Sequence, residues 1–425
     1  MDVSITDISE VEKEICIQAT AAELAPHFEK AYQKQQAKLE IKGFRKGKAP
    51  LDIVKKLHGE AIEYNSLDDV ASDFYRQVAQ ERHIHPVGEP VLTDIDYKRG
   101  EALSFKVKYE IKPNLVLQEY KGVPVEKVLH TVTDKEVNEE VMRLRRSHST
   151  TTDAQQVDDE EHIVTVDMQQ LDETGTPLIG KKSKGVRVYL ADENVFREIK
   201  QALHTATIDS TVRANVEVQE EEGKKHINRL ELTVLKIEKV TLPELNDEFV
   251  KQISKDRVTS SDEFVKQMRI DLEQYWQNRS EGKMADNLIG EIVRRHDVTV
   301  PESMIRGVLD SMLEEYKNRL PNKKLPSDFN ESEFRDQNRG YAIFQSKWYL
   351  IRERIIEAEG FVAEEADILR QAENDATKMG IEKERLLAFY STSAPIKDRI
   401  VSEKLLHFLK QNAKITERVT EEFTD

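Results

Sequence analysis

A single cysteine, Cys16, in 425 residues rules out an internal disulfide and fits a reducing compartment. No apolar run approaches the roughly 20 residues that a membrane helix requires. The first fourteen residues carry Asp2, Asp7, Glu10, Glu12 and Glu14 where a secretory leader has its apolar stretch. The expectation is a soluble, cytosolic protein with no membrane partner. Aromatics are scarce between Thr150 and Val240, where only Tyr189 and Phe196 occur. The nucleotide P-loop is missing too: Gly43 and Gly47 enclose three residues where that motif needs four, and Ala49 follows Lys48 where it needs Ser or Thr. No nucleophile triad or paired-carboxylate motif stands out, so acid–base hydrolysis is not indicated and no cofactor is expected. His83 and His85, with no cysteine nearby, read as surface or capping residues, not as metal ligands. Cys16 sits in the alternating Ile15-Cys16-Ile17 and reads as a buried strand residue.

What is present is concentrated charge. The chain has a net charge of −16, yet from Lys30 to Lys56 nine Lys or Arg face only Glu40 and Asp52, a local net of +7. An acidic protein of this kind does not coat nucleic acid generally; any polyanion contact is local and salt-sensitive. Lys30, Lys34, Lys38 and Lys42 recur every fourth residue, which predicts one basic face on a helix over Ala22–Leu39. That helix leads into Gly43-Phe44-Arg45-Lys46-Gly47-Lys48-Ala49-Pro50, where an aromatic and three cations share a glycine-bounded loop that nothing local buries.

The length allows about three domains. The overall class is multidomain α+β. Residues 1–112 read as one α+β module: a strand near Val11–Gln18, the basic helix, helical stretches at Leu51–Leu57 and Asn65–Gln80, breakers at Pro86, Gly88 and Pro90, and a strand through Leu103–Ile111. Residues 113–149 form a linker and arm, with a short strand at Val125–Leu129 and a helix at Asp134–Arg146. A polar run from Ser147 to Glu161 follows. Residues 150–241 are small and β-rich, with one helix near Val195–Leu203. Residues 242–425 are helical, punctuated by a Ser260/Glu263 capping box, Pro301 at a first turn, and Gly360 and Gly380 as helix ends.

The Gly43–Pro50 segment after a basic helix resembles the ribosome-docking signature of the bacterial trigger factor family. Leu242-Pro-Glu-Leu-Asn-Asp-Glu-Phe249 resembles that family's junction into its helical carboxy-terminal domain, and Val298-Thr-Val-Pro301 resembles the opening of a long helix there. The resemblance implies an ATP-independent chaperone that binds nascent polypeptides beside the exit tunnel of the large ribosomal subunit. Phe44, Arg45 and Lys46 would make the contact to ribosomal protein and rRNA, Lys48 would add charge, and Gly43, Gly47 and Pro50 would shape the loop. It also leaves a homodimer off the ribosome open.

The same resemblance implies an FKBP-like prolyl isomerase fold for the middle domain, and here the sequence departs. The Ile-Pro-Gly-Phe-Glu-like segment of active relatives is replaced by Glu193-Asn-Val-Phe-Arg-Glu198, and Met168 follows Asp167 where relatives carry an aromatic. Only Asp167, Tyr189 and Phe196 are candidate catalytic residues, and the expectation is a domain that keeps the sheet and has lost most or all isomerase activity. Two other readings stay open: a prolyl isomerase whose helical region recruits substrates, and an RNA-binding assembly factor.

Overall fold

The computed structural model describes residues 1–219 and 225–420; the last residues of the acidic tail lie outside them. The chain divides into two compact bodies, Met1–Lys127 with Gly282–Glu417, and Val128–Glu281 with Arg418, Val419 and Thr420. In chain order, the first body begins with β1 (Asp2–Asp7), β2 (Glu12–Ala19), α1 (Ala21–Gln36), α2 (Leu51–Glu81), β3 (Val87–Tyr97) and β4 (Leu103–Glu110). The four strands form one antiparallel sheet in the order β1-β2-β4-β3. Its inner face sends Ile15, Ile17, Leu103, Phe105 and Val107 into a core with Leu24, Phe28, Val54, Val70 and Phe74 of the two helices. Cys16 faces the other way and is only half-buried, its Sγ 4.0 Å from Ser104 Oγ, which corrects the expectation of a buried thiol. β1 itself, polar and largely exposed, was not anticipated.

Helix α1 opens with a capping box in which Thr20 and Glu23 satisfy each other's backbone N–H groups. It ends at Gln36, so the anticipated face of four lysines shrinks to Lys30 and Lys34; Lys38 and Lys42 lie in the loop beyond. The two helical stretches expected after the loop are one continuous helix, α2. Its buried Glu63 accepts from the hydroxyls of Tyr32 and Tyr97, the latter at 2.7 Å, and from Arg99 Nε at 3.3 Å, tying helix to sheet. Burial and that carboxylate push the Tyr32 phenol up to about 12.

β5 (Pro124–His130) follows the connection, and α3 (Asp134–Ser147), β6 (Thr150–Ala154), β7 (His162–Leu171), β8 (Pro177–Tyr189), α4 (Arg197–Leu203), β9 (Thr211–Gln219) and β10 (Lys225–Thr241) build most of the second body. Long β10 is the spine of a five-stranded antiparallel sheet, pairing with β6, β7 and β9, while β8 pairs with β7. Val164, Val166, Val188, Leu232 and Val234 pack under Ile199 and Leu203 of α4. β6 falls inside the stretch read as a polar boundary.

The remaining helices are α5 (Asp247–Ser254), α6 (Ser261–Arg295), α7 (Glu302–Arg319), α8 (Glu331–Glu359), α9 (Glu365–Met379), α10 (Lys383–Thr392) and α11 (Ala394–Asn412), closed by β11 (Lys414–Thr420). Gly360 and Gly380 end α8 and α9 in the left-handed region, φ +69° and +66°, as glycine allows. In the first body, Leu288, Ile292, Ile351, Ile355, Leu405 and Leu409 form a helical core, and Leu115, Leu117, Tyr120, Val123 and Val125 of the connecting segment pack on it. His296 is buried there and satisfied: its Nδ1 lies 2.7 Å from the Ile292 carbonyl oxygen and its Nε2 accepts the Gln118 N–H at 2.9 Å. No helix among the described residues is long and apolar enough to cross a membrane.

Candidate functional site

The loop between α1 and α2 is a fixed platform with a free tip. Ile41 and Ala49 are buried in the core beneath it, and Leu39 packs beside them. Gln36 Nε2, at the end of α1, donates to the Ala49 carbonyl oxygen at 2.7 Å, and Gly47 N donates to Leu39 O at 3.2 Å. Two tight turns lie inside this closure, Phe44 N to Ile41 O at 3.0 Å and Lys48 N to Arg45 O at 2.9 Å. Gly47 has φ +73°, and a Cβ there would stand 3.0 Å from the Ala37 carbonyl oxygen, so both backbone angle and space call for glycine.

The tip carries the chemistry. Phe44 is 39% exposed, an aromatic held out of the core by the anchored ends of its own loop. Lys42, Arg45, Lys46 and Lys48 are exposed around it, and among the described residues they and Lys38 have no ionic partner. Lys34 and Lys55, in contrast, reach Asp69 at 3.9 Å and Glu29 at 2.5 Å. Pro50 caps α2 and sets the loop's exit. The arrangement suits an anionic surface with an apolar depression in it.

The helices of the first body offer apolar surface elsewhere. Between α7 and α8 runs a groove of about 560 Å³, lined by Met304, Val308, Met312, Tyr341, Trp348 and Tyr349 among others. Tyr349 and Arg352 are shared with an adjoining hollow of about 680 Å³, reaching Ile356, Phe361 and Val401. Val362, Met379 and Phe389 are exposed on and beside α9 and α10. On α8, Tyr341 and Tyr349 are exposed while their neighbours Ala342, Leu350 and Ile351 are buried.

The three isomerase candidates do not converge. Val164, Val166 and Val188 point into the core, so Asp167 and Tyr189, offset by one residue from that set, lie on the opposite face of the sheet. Tyr189 donates its hydroxyl to Glu161 and has the Arg146 guanidinium 5.6 Å from its ring centroid. Burial, then the Glu161 carboxylate, drive its phenol well above the ordinary range. Asp167 accepts from Gly185 N at 3.1 Å and pairs with Lys182 at 3.2 Å, which together hold its carboxyl below the usual value. Phe196 sits half-exposed at the start of α4. Asp167 and Tyr189 each have a structural occupation of their own.

Among the described residues, the one His/Asp/Glu/Cys grouping of metal-ligating spacing is Asp158, Asp159 and His162, and it includes neither His83 nor His85. Lys239 already approaches both aspartates, at 3.0 and 3.7 Å.

Family models described as bacterial trigger factor protein match residues 1–144 and, for its C-terminus, residues 260–411. A trigger factor of Chloroherpeton thalassium is 30% identical over 389 residues, covering 90% of this chain and 89% of its own length. The chain belongs to the trigger factor family. A trigger factor of Salinibacter ruber is 29% identical over 418 residues, with 94% and 90% covered, and one of Chlorobaculum tepidum is 27% identical over 428, with 100% and 99% covered. A solved structure, described as showing promiscuous substrate recognition in folding and assembly by the trigger factor chaperone, shares the fold at a TM-score of 0.50 and 19% identity, over 97% of this chain and 99% of that one. Trigger factors are ribosome-associated chaperones that bind nascent chains, and membership makes this protein one; the alternative of a dedicated FKBP-type isomerase is not favoured.

Proposed function

We propose that this trigger factor docks on the large ribosomal subunit beside the exit tunnel through Phe44, Arg45 and Lys46. The observation that carries the proposal is the tip itself: an exposed aromatic among unpaired cations, on a loop fastened at both ends by Gln36–Ala49 and Leu39–Gly47. Arg45 and Lys46 meet rRNA phosphate or an acidic side chain of a ribosomal protein, and Phe44 enters an apolar depression. Gly43, Gly47 and Pro50 shape the loop, and Lys48 adds charge. Residues 1–112 form the docking domain, 113–149 the arm, 150–241 the FKBP-like domain and 242–425 the client-holding domain of a cytoplasmic protein. Off the ribosome, the same exposed tip and grooves are the surfaces available for a homodimer.

Clients bind without nucleotide because the apolar surface is divided. A nascent segment burying about 400 Å² gains about 10 kcal/mol at roughly 25 cal/mol per Å². Association and ordering cost about 4–15 kcal/mol, so binding is weak enough for exchange. The α7–α8 groove and the hollow beside Phe361 provide such patches. The middle domain contributes its sheet and not isomerisation, because Tyr189 and Asp167 are committed to Glu161, Arg146, Gly185 and Lys182.

A photoreactive phenylalanine analogue at position 44 tests the docking. Crosslinks to a large-subunit protein or to rRNA support it; a folded variant that binds ribosomes yet crosslinks to neither overturns it.

A further inference from the structure

The β7–β8 hairpin carries a second segment with the composition of the docking loop. Across Pro177–Tyr189 there are four cations, Lys181, Lys182, Lys184 and Arg187, and no acid. Every residue from 177 to 185 is exposed. Gly180 (φ +77°) and Gly185 (φ +65°) bracket the three lysines as Gly43 and Gly47 bracket Arg45 and Lys46. Ile179 stands fully exposed just before Gly180, outside the glycine bracket, whereas Phe44 lies inside its own. Lys182 lies 3.2 Å from Asp167 and Arg187 3.4 Å from Glu238, while Lys181 and Lys184 form no salt bridge among the described residues, Lys184 acting on Asp167 only at longer range.

β8 ends the sheet order, and among the described strands it pairs with β7 alone. An exposed edge can take an incoming strand or present its side chains to a polyanion. Strand addition needs a regular unpaired ladder. Here two glycines turn into the left-handed region, the register slips between Val166 and Met168, and lysines are the residues with which edge strands repel added strands. Phosphates ask for none of that regularity; they ask for ammonium groups within reach and few competing carboxylates.

We propose that the Leu178–Arg187 edge of β8 is a second polyanion contact, taking phosphates of ribosomal RNA. The proposal rests on the reading of the protein as ribosome-docked through residues 43–48, and adds an anchor on the body that contains Val128–Glu281. Lys181, Lys182 and Lys184 supply the charge. Gly180 and Gly185 fall at the two register shifts with β7, between which Lys182 and Ser183 stay paired with Gln169 and Met168, and Asp167, holding Gly185 N, fixes where the second irregularity falls.

The test is full-length protein with Lys181→Ala, Lys182→Ala and Lys184→Ala, titrated onto salt-washed ribosomes over a potassium chloride series. Each phosphate contact contributes about 0.7–0.9 to the slope of log affinity against log salt, so the slope should fall by about 2 and low-salt affinity by about tenfold. All three side chains are exposed, and an unchanged circular dichroism spectrum confirms the fold. Wild-type slope and affinity in the variant overturn the proposal. So does a variant whose ribosome slope is unchanged but which no longer binds polyglutamate, since that assigns the edge to an acidic protein. Phe44→Ala, Arg45→Ala, Lys46→Ala run alongside keeps the readings apart: full binding by that variant removes the docking loop, while the β8 slope is read independently.

Discussion

Gln36 and Ala49 are joined across the loop between α1 and α2 by a 2.7 Å hydrogen bond from the side-chain amide to the carbonyl oxygen, so the last residue of α1 holds the chain just before α2 begins. The bond closes a loop whose tip carries Phe44 and the unpaired cations. Gln36→Ala removes it and leaves the Ala49 carbonyl to find water, a cost of about 1 kcal/mol in urea unfolding. Ribosome affinity should fall several-fold although no tip residue has changed. Unaltered affinity in a destabilised variant would mean that the tip needs no pre-organisation.

Gly88 lies in β3 with φ +75°, and a Cβ there would stand 2.4 Å from Ser303 Cβ at the start of α7. Ser303 is fastened to the same place, its N–H donating to Glu110 at 2.8 Å and its hydroxyl to Val87 O at 3.1 Å. Gly88→Ala should therefore cost about 1–3 kcal/mol through backbone strain alone, and steric displacement of Ser303 adds to it. The check is the urea midpoint, with Gly100→Ala as a control for strain, since its φ is +80° and no atom lies within 4 Å of the added Cβ.

The buried carboxylate of Asp367 gives the helical region an acid limit. Lys404 first, then the Glu364 backbone N–H and Arg370, hold its pKa below the usual aspartate value against the opposing cost of burial. A depressed folded-state pKa adds stability that is fully present above the unfolded value, about 4, and is lost as pH falls through the folded value. Asp367→Ala should cost about 1–3 kcal/mol at neutral pH and flatten the stability curve below about pH 4. Thermal unfolding of both proteins across that range checks the sign; a variant with an unchanged acid limb removes Asp367 from the account.

Turnover of a prolyl peptide by this protein should be at or near background, and Tyr189→Phe with Phe196→Ala should leave it there. The reason is geometric: Tyr189 is bonded to Glu161, lies beside Arg146 and belongs to the sheet face turned from the core. Strong turnover abolished by the double variant would restore an active pocket.

Local signals in the sequence are decisive where local physics fixes the backbone. Gly360 and Gly380 end helices because only a residue without Cβ adopts their positive φ at no strain. The 43–50 loop is legible as an exposed basic loop for a similar reason, its glycines and cations being contiguous. Tertiary packing hid the rest. Helix α1 stops at Gln36, short of Leu39, because Leu39 and Ile41 turn inward to the core and Gly47 takes the Leu39 carbonyl. Helix α2 continues through Gly59, where Arg99 and Tyr32 close over the bare Cα, an approach that the sequence of the helix does not announce. Strand β6 is polar and exposed at the sheet edge, so it has no alternation to read. Tyr189 was recognisable as an aromatic, but its engagement by Glu161 and by Arg146 of α3 depends on residues far away in the chain.

The measurement that bears most directly on docking is co-sedimentation with 70S ribosomes of the native chain and of Phe44→Ala, Arg45→Ala, Lys46→Ala, both shown to be folded. The three side chains are exposed and do not enter the core, so the substitution should leave stability within about 0.5 kcal/mol. Saturable binding by the native protein, weakened at least about tenfold in the variant, is the predicted result, since that loss corresponds to only about 1.4 kcal/mol. Equal binding of the two proteins would contradict the assignment of the tip as the ribosome contact.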